Sequence, residues 1–242
     1  MLISLKELKG YKIRAIDGDI GSIHDFYFDD LSWRMRFFVV ETGGWLLGRK
    51  VLIAPGALEN PDGTDKVIPT RLTMEQVKNA PDVSTEQPVS RQSVAGVFQY
   101  YGWPLYFEAP GSMSAAAVPM TGVEPPAEED VDQHLQSARS VMGYDIAATD
   151  GDIRHVEDFV YDHDDYVIRY LVADTKDWLP GRHVILTTDS VKSISWTERK
   201  VSVDQTRAEV ESSPEYDPLK PLEREQETNI FTHFRRRPYW II

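Results

Sequence analysis

Cysteine is absent from this 242-residue chain. That excludes disulfides, thiolate metal sites and a cysteine nucleophile, and it fits a reducing, cytoplasmic compartment. Long hydrophobic runs are absent too. Stretches such as Phe37-Phe38-Val39-Val40 fall far short of the ~20 apolar residues a membrane helix needs. No integral membrane segment is therefore expected. Met1-Leu2-Ile3-Ser4-Leu5-Lys6-Glu7 has no basic segment leading into an apolar run, so no signal peptide is expected either. Positive charge is scarce: 26 Lys and Arg face 39 Asp and Glu, a net charge of −13. Such a balance repels phosphate backbones and argues against general nucleic-acid binding. The one compact basic run is Arg235-Arg236-Arg237. What remains, 41% hydrophobic and 27% charged, is the composition of a soluble globular protein.

What the chain does have is itself, twice. Shifted by 133 positions, residues 10–53 fall on 143–186 without a gap, and 19 of the 44 pairs are identical. Gly10-Tyr11 meets Gly143-Tyr144, Asp17-Gly18-Asp19-Ile20 meets Asp150-Gly151-Asp152-Ile153, and Asp25-Phe26 meets Asp158-Phe159. Trp45-Leu46-x-Gly48-Arg49-x-Val51 meets Trp178-Leu179-x-Gly181-Arg182-x-Val184. Further matches run from Thr73/Thr206 to Tyr106/Tyr239. Units of this size are domain duplications rather than solenoid repeats, which run ~20–50 residues. The expected domains are 1–107 and 136–242, joined by a linker at 108–135. That linker carries Pro110, Pro119, Pro125, Pro126 and six acids but no Lys or Arg. It reads as a disordered or semi-extended spacer of roughly 30 Å.

Within each unit the pattern is mainly β. Tyr11–Ile16 and Asp19–Phe28 are rich in β-branched and aromatic residues and flank Asp17-Gly18, a hairpin signal that Asp150-Gly151 repeats. Further strands are expected at Trp33–Glu41, Leu46–Ile53, 57–59 and 66–70. Thr73-x-x-Gln76 and Thr206-x-x-Glu209 are capping boxes for short helices, and Pro81 and Pro214 stop them. A last helix carries Val94, Val97, Phe98 and Tyr101. Its counterpart carries Glu227, Ile230, Phe231 and Phe234, so three of four positions keep an apolar stripe. Aromatic tails follow, with Trp103 and Tyr106 in one and Tyr239 and Trp240 in the other. The stripe packs on its own unit, on the other unit or on a partner.

Together, the short strands, Asp-Gly-Asp-Ile and the downstream Trp-Leu-x-Gly-Arg-x-Val resemble the PRC-barrel family, over about residues 4–81 and 137–214. The resemblance implies a small, highly bent β-barrel in each repeat, and the short helices and the C-terminal helix and tail read from the sequence complete each unit. Family members act mainly as assembly or interaction modules. One lies in the photosynthetic reaction-centre H subunit and another in a ribosome-maturation factor that binds a ribosomal protein. The family implies no shared catalytic residues, and from the residues themselves no metal and no cofactor are expected.

The residues themselves offer little other chemistry. Asp17/Asp19 and Asp150/Asp152 could supply two oxygens each to a divalent cation, but the EF-hand pattern is missing. Hairpin turns with solvated acids are the simpler reading. Asp162-His163-Asp164-Asp165 is a denser acid turn and a candidate weak Ca²⁺ or Mg²⁺ site. Ser22, His24 and Asp25 carry the letters of a triad, yet they lie within four residues of one strand, and the second unit reads His155, Glu157 and Asp158. The histidines, at 24, 134, 155, 163, 183 and 233, never align between units, which argues against a duplicated zinc site. Arg49/Arg182, Arg36/Arg169, Asp25/Asp158 and Asp29/Asp162 recur and suggest rim ion pairs. Trp45/Trp178 either plugs its barrel or forms a surface hot spot.

The expectation is a non-enzymatic interaction or assembly module that binds a protein partner or self-associates. An intramolecular barrel pair and a homodimer both stay open. The expected contact surface is Trp45, Arg49, Phe98, Tyr101, Trp103, Tyr106, Trp178, Arg182, Phe231, Phe234, Tyr239 and Trp240. The alternative is a cation or small-ligand sensor built on the acidic turns.

Overall fold

The structure, a computed structural model, describes residues 1–81, 91–103, 134–174, 182–218 and 220–241. The chain opens with β1 (Leu2–Ser4), α1 (Leu5–Leu8), β2 (Lys12–Ala15) and β3 (Gly18–Asp29). It continues through β4 (Met35–Thr42), β5 (Lys50–Ile53), β6 (Val67–Pro69), α2 (Met74–Lys78) and α3 (Arg91–Tyr101). Then come β7 (Leu135–Ser137), α4 (Ala138–Val141), β8 (Asp145–Ala148), β9 (Gly151–Asp162) and β10 (Val167–Asp174). The last elements are β11 (His183–Thr187), β12 (Val191–Ser195), β13 (Lys200–Val203), α5 (Arg207–Glu211), β14 (Glu215–Tyr216) and α6 (Arg224–His233).

These form two mixed sheets. One has eight strands in the order β12-β13-β8-β9-β10-β11-β14, with β1 added on β9. The other has six, in the order β5-β4-β3-β2-β6, with β7 on β3. A parallel pair, β13 with β8 and β2 with β6, makes each sheet mixed.

The expected highly bent β-barrels are not formed. Closure requires the first and last strands of a path to pair with a consistent stagger. Among the described residues, β12 and β14 end one path and β5 and β6 the other, and neither couple of end strands pairs with each other. The strands at those ends are too short for it: β14 has two residues and β6 three. The strand expected over 57–59 is reduced to a single bridge, Leu58 with Thr70, that follows a 3₁₀ turn at Pro55–Ala57. The reading as two tandem barrels is corrected to two open mixed sheets.

The chain divides into two compact units. One gathers Met1–Lys9, Phe28–Met35 and Gln136–Ile242, and the other Gly10–Tyr27 and Arg36–Leu135. In the first, β1 completes the sheet antiparallel to β9, with Leu2, Ile3 and Ser4 opposite Asp162, Tyr161 and Val160. Its core joins Val160, Tyr170, Val172, Ile185 and Tyr216 from the sheet to Ile230 and Phe231 from α6. In the second, Tyr27, Phe37, Val39 and Leu52 pack on Val97 and Phe98 of α3 and on Leu135. Both stripes therefore cover the sheet of their own unit, as burial of one helix face requires.

Local chemistry sets the short helices. Thr73 accepts from the Gln76 N–H at 3.2 Å while the Gln76 side chain accepts from the Thr73 N–H at 2.8 Å. Thr206 and Glu209 repeat the arrangement at 3.2 and 2.9 Å. Two of each helix's orphan N–H groups are thereby satisfied.

Candidate functional site

The repeated acids of the Asp-Gly turns are engaged in structure. Asp17 accepts from the Met74 N–H at 2.8 Å and Asp150 from the Arg207 N–H at 2.7 Å, so each turn caps the first residue of a short helix. Asp19 pairs with Arg14 at 3.0 Å and Asp152 with Lys200 at 3.3 Å. In the denser turn, Asp162 lies 3.4 Å from Arg169 and Asp165 also pairs with Arg169. Among the described residues, no group of three or more His, Asp or Glu is arranged to hold a metal ion.

The repeated arginines act on backbone. Arg49 donates to the Lys78 and Ala80 carbonyls at 3.2 and 2.7 Å, and Arg182 to those of Glu211 and Ser213. Each guanidinium thus binds the last carbonyls of a short helix, where a cation is favoured. Trp45 is half-buried in a 3₁₀ turn, not a strand, and its indole N–H donates to the Ile20 carbonyl at 2.7 Å. Between Trp45 and Arg49, Leu47 stands 97% exposed with φ 56°.

The aromatic tails fold onto their helices. Phe98 is buried, edge-on to Phe37 at 5.3 Å, and Tyr101 stacks on Trp103 at 4.4 Å. Phe231 is buried against Tyr170, Tyr239 and Trp240, while Phe234, Tyr239 and Trp240 stay half-buried around it. Tyr106, Trp178 and residues 108–133 of the expected linker lie outside the described residues.

The residue that breaks the second stripe forms a polar hub. Glu227 is 2% exposed and accepts from the Tyr170 hydroxyl at 2.7 Å and the Tyr239 hydroxyl at 2.8 Å. Arg224 pairs with it at 3.0 Å and lies 4.0 Å over the Trp240 ring. Burial and the Glu227 carboxylate together push the Tyr239 phenol up to about 12.

A cleft of about 550 Å³ opens in the unit that contains β9. Ser4, Lys6 and Glu7 line it from the β1–α1 segment. Glu157 and Asp158 come from β9, Val172 from β10 and His183 from β11, with Pro218 at the edge. Two consecutive strand residues ordinarily face opposite sides. Here Val172 pairs with Asp158 and Ala173 with Val156, so Glu157 is the extra residue of a β-bulge. The bulge lets both carboxylates line one cleft, a placement that strict alternation in the sequence does not signal.

The two carboxylates differ electrostatically. Asp158, 5% exposed, accepts from the Ser4 hydroxyl and from the N–H groups of Lys6 (3.1 Å) and Phe159 (2.7 Å). Burial raises its pKa against the pull of those donors. Burial pulls Glu157 upward too, but Lys6 at 3.2 Å and His183 at 3.0 Å outweigh it and hold Glu157 below its ordinary value. A depressed carboxyl contributes stability above its unfolded pKa and loses it as pH falls through the folded value. A raised one contributes below its unfolded pKa and loses it as pH rises through the folded value. Urea unfolding from acid to neutral pH is therefore expected to show Glu157→Gln losing more stability as pH rises. The deficit of Asp158→Asn should shrink over the same range. Parallel curves for the two variants would contradict this assignment.

Residues 1–73 match the family model described as PRC-barrel domain. No curated protein matches the chain. The match covers residues 1–73 alone, and among the described residues neither sheet closes into a barrel. The match carries no likeness specific to the reaction-centre H subunit. A non-enzymatic, interaction-type role is consistent with it. Among the described residues, no helix is long and apolar enough to cross a membrane.

Proposed function

We propose that this chain is a non-enzymatic interaction or assembly module that contacts a protein partner, or a second copy of itself, through the loop at residues 43–49. The observation that carries this reading is Leu47. A large apolar side chain that is 97% exposed, on a residue with φ 56°, combines solvent cost with backbone strain. The loop is nonetheless held firmly from both ends, by the Trp45 bond to Ile20 and the Arg49 bonds to the end of α2. A rigid mount for an exposed apolar residue lowers the ordering cost of binding. The half-buried faces of Trp103, Phe234, Tyr239 and Trp240 are secondary contact candidates of the type enriched at interfaces.

Chemical crosslinking of the full chain in host extract tests the reading. Wild type is expected to give one dominant protein adduct or a covalent dimer. Leu47→Asp should lower that yield by about tenfold, the loss of ~1.4 kcal/mol of contact energy, with an unchanged unfolding midpoint. Equal yields from the two proteins would reject the loop as the contact.

A further inference from the structure

The cleft beside β9 holds an arrangement that neither the family match nor the proposed contact loop uses. Its floor is Glu157, lifted by the bulge, and Lys6 from α1 reaches in to place its ammonium 3.2 Å from Glu157 Oε1. The other carboxylate oxygen, Oε2, is engaged by His183 Nδ1 at 3.0 Å. Val172 and Pro218 supply apolar wall. Lys6 is itself half exposed, with 50% of its side chain accessible, whereas Glu157 retains only 18%. The carboxylate is therefore held inside the cleft, and the ammonium that pairs with Oε1 belongs to a half-solvated side chain.

We propose that this cleft is a binding site for a single alkylammonium group, carried by a small amine or by a lysine side chain of a partner, and that Lys6 occupies it as a tethered competitor. The chemistry selects an ammonium over a guanidinium. Bidentate arginine recognition needs both carboxylate oxygens, and His183 already takes one of them. A point charge on an alkyl stem needs only Oε1, and its methylenes can lie along Val172 and Pro218. Displacing Lys6 is cheap because a half-exposed ion pair contributes little. Asp158 stays committed to Ser4 and to two backbone N–H groups, so it shapes the cleft and adds negative field without leaving its partners.

NMR titration of the full chain tests this, with n-butylammonium as probe and butyrate and butanol as controls. A blocked lysine-containing tripeptide forms a second arm that separates small amines from protein side chains. Saturable shifts at Lys6, Glu157 and His183 are expected with butylammonium at millimolar concentration and not with the controls. Lys6→Met should tighten binding by ~2–6-fold, the gain from removing a surface-pair competitor. Glu157→Gln should abolish it while the spectrum keeps its native dispersion. A merely structural salt bridge predicts the opposite for Lys6→Met, with no gain in affinity. No saturable shift in either wild type or Lys6→Met, or equal shifts with butanol, would overturn the proposal. Should Glu157→Gln fail to fold, the Lys6→Met comparison decides alone.

Discussion

Glu227→Ala is expected to destabilise the protein by about 2–4 kcal/mol, the cost of leaving two tyrosine hydroxyls without their acceptor. Glu227 is 2% exposed and serves three donors at once, the Tyr170 and Tyr239 hydroxyls and the Arg224 guanidinium. Removing it leaves the buried Tyr170 hydroxyl without its carboxylate, and each unsatisfied buried group costs ~1–3 kcal/mol. Tyr239 would also lose the anchor that seats it on Phe231. Glu227→Gln keeps an acceptor oxygen in the same place and should cost clearly less. The triple change Glu227→Leu, Tyr170→Phe and Tyr239→Phe removes donors and acceptor together and should recover much of the loss. Urea unfolding of the three variants measures this. Equal midpoints for Glu227→Ala and wild type would show that the hub carries no net stability.

Gly21→Ala is expected to cost at least ~3 kcal/mol, at the upper end of overpacking effects. A Cβ at Gly21 would lie 2.0 Å from the Glu41 carbonyl oxygen and 2.8 Å from the Thr42 Cα. Those are backbone atoms of β4, so no rotamer change relieves the clash. Gly18→Ala provides the comparison. Its Cβ would meet only the Met74 side chain, at 2.5 Å from Sδ, which can swing away. The expected order in thermal unfolding is wild type above Gly18→Ala, with Gly21→Ala well below both. A Gly21→Ala midpoint within a degree or two of wild type would refute the close approach of the two strands.

Local features of this fold are readable in the sequence, and non-local ones are not. The Thr73/Gln76 and Thr206/Glu209 boxes and the Asp17-Gly18 and Asp150-Gly151 turns involve residues a few positions apart, where side-chain chemistry decides the backbone. The apolar stripe that carries Phe98 and Phe231 likewise marks the face that meets a sheet. Sheet closure depends on whether the two end strands of a path pair with each other, and alternation of residue types carries no information about which strands pair. The bulge at Glu157 reverses the facing that alternation predicts, so the cleft is invisible to a period-two reading. Glu227 looks like a defect in an apolar stripe until Tyr170, 57 positions earlier, is placed beside it. The repeated Arg49 and Arg182 stand out by recurrence alone. Their targets are backbone carbonyls, which no residue pattern reveals.

The pairing of β1 with β9 has a consequence for synthesis on the ribosome. Ser4 bonds to Asp158, 154 positions later. At ~5–20 residues per second, the opening segment waits roughly 8–30 s for its strand partner to emerge. Helix α1 cannot hold by itself through that interval, because four residues are too few to offset helix nucleation. The segment therefore closes onto β9 only once more than half of the chain has been made. A fusion placed ahead of Met1 would burden that closing step more than it would burden the folding of the rest.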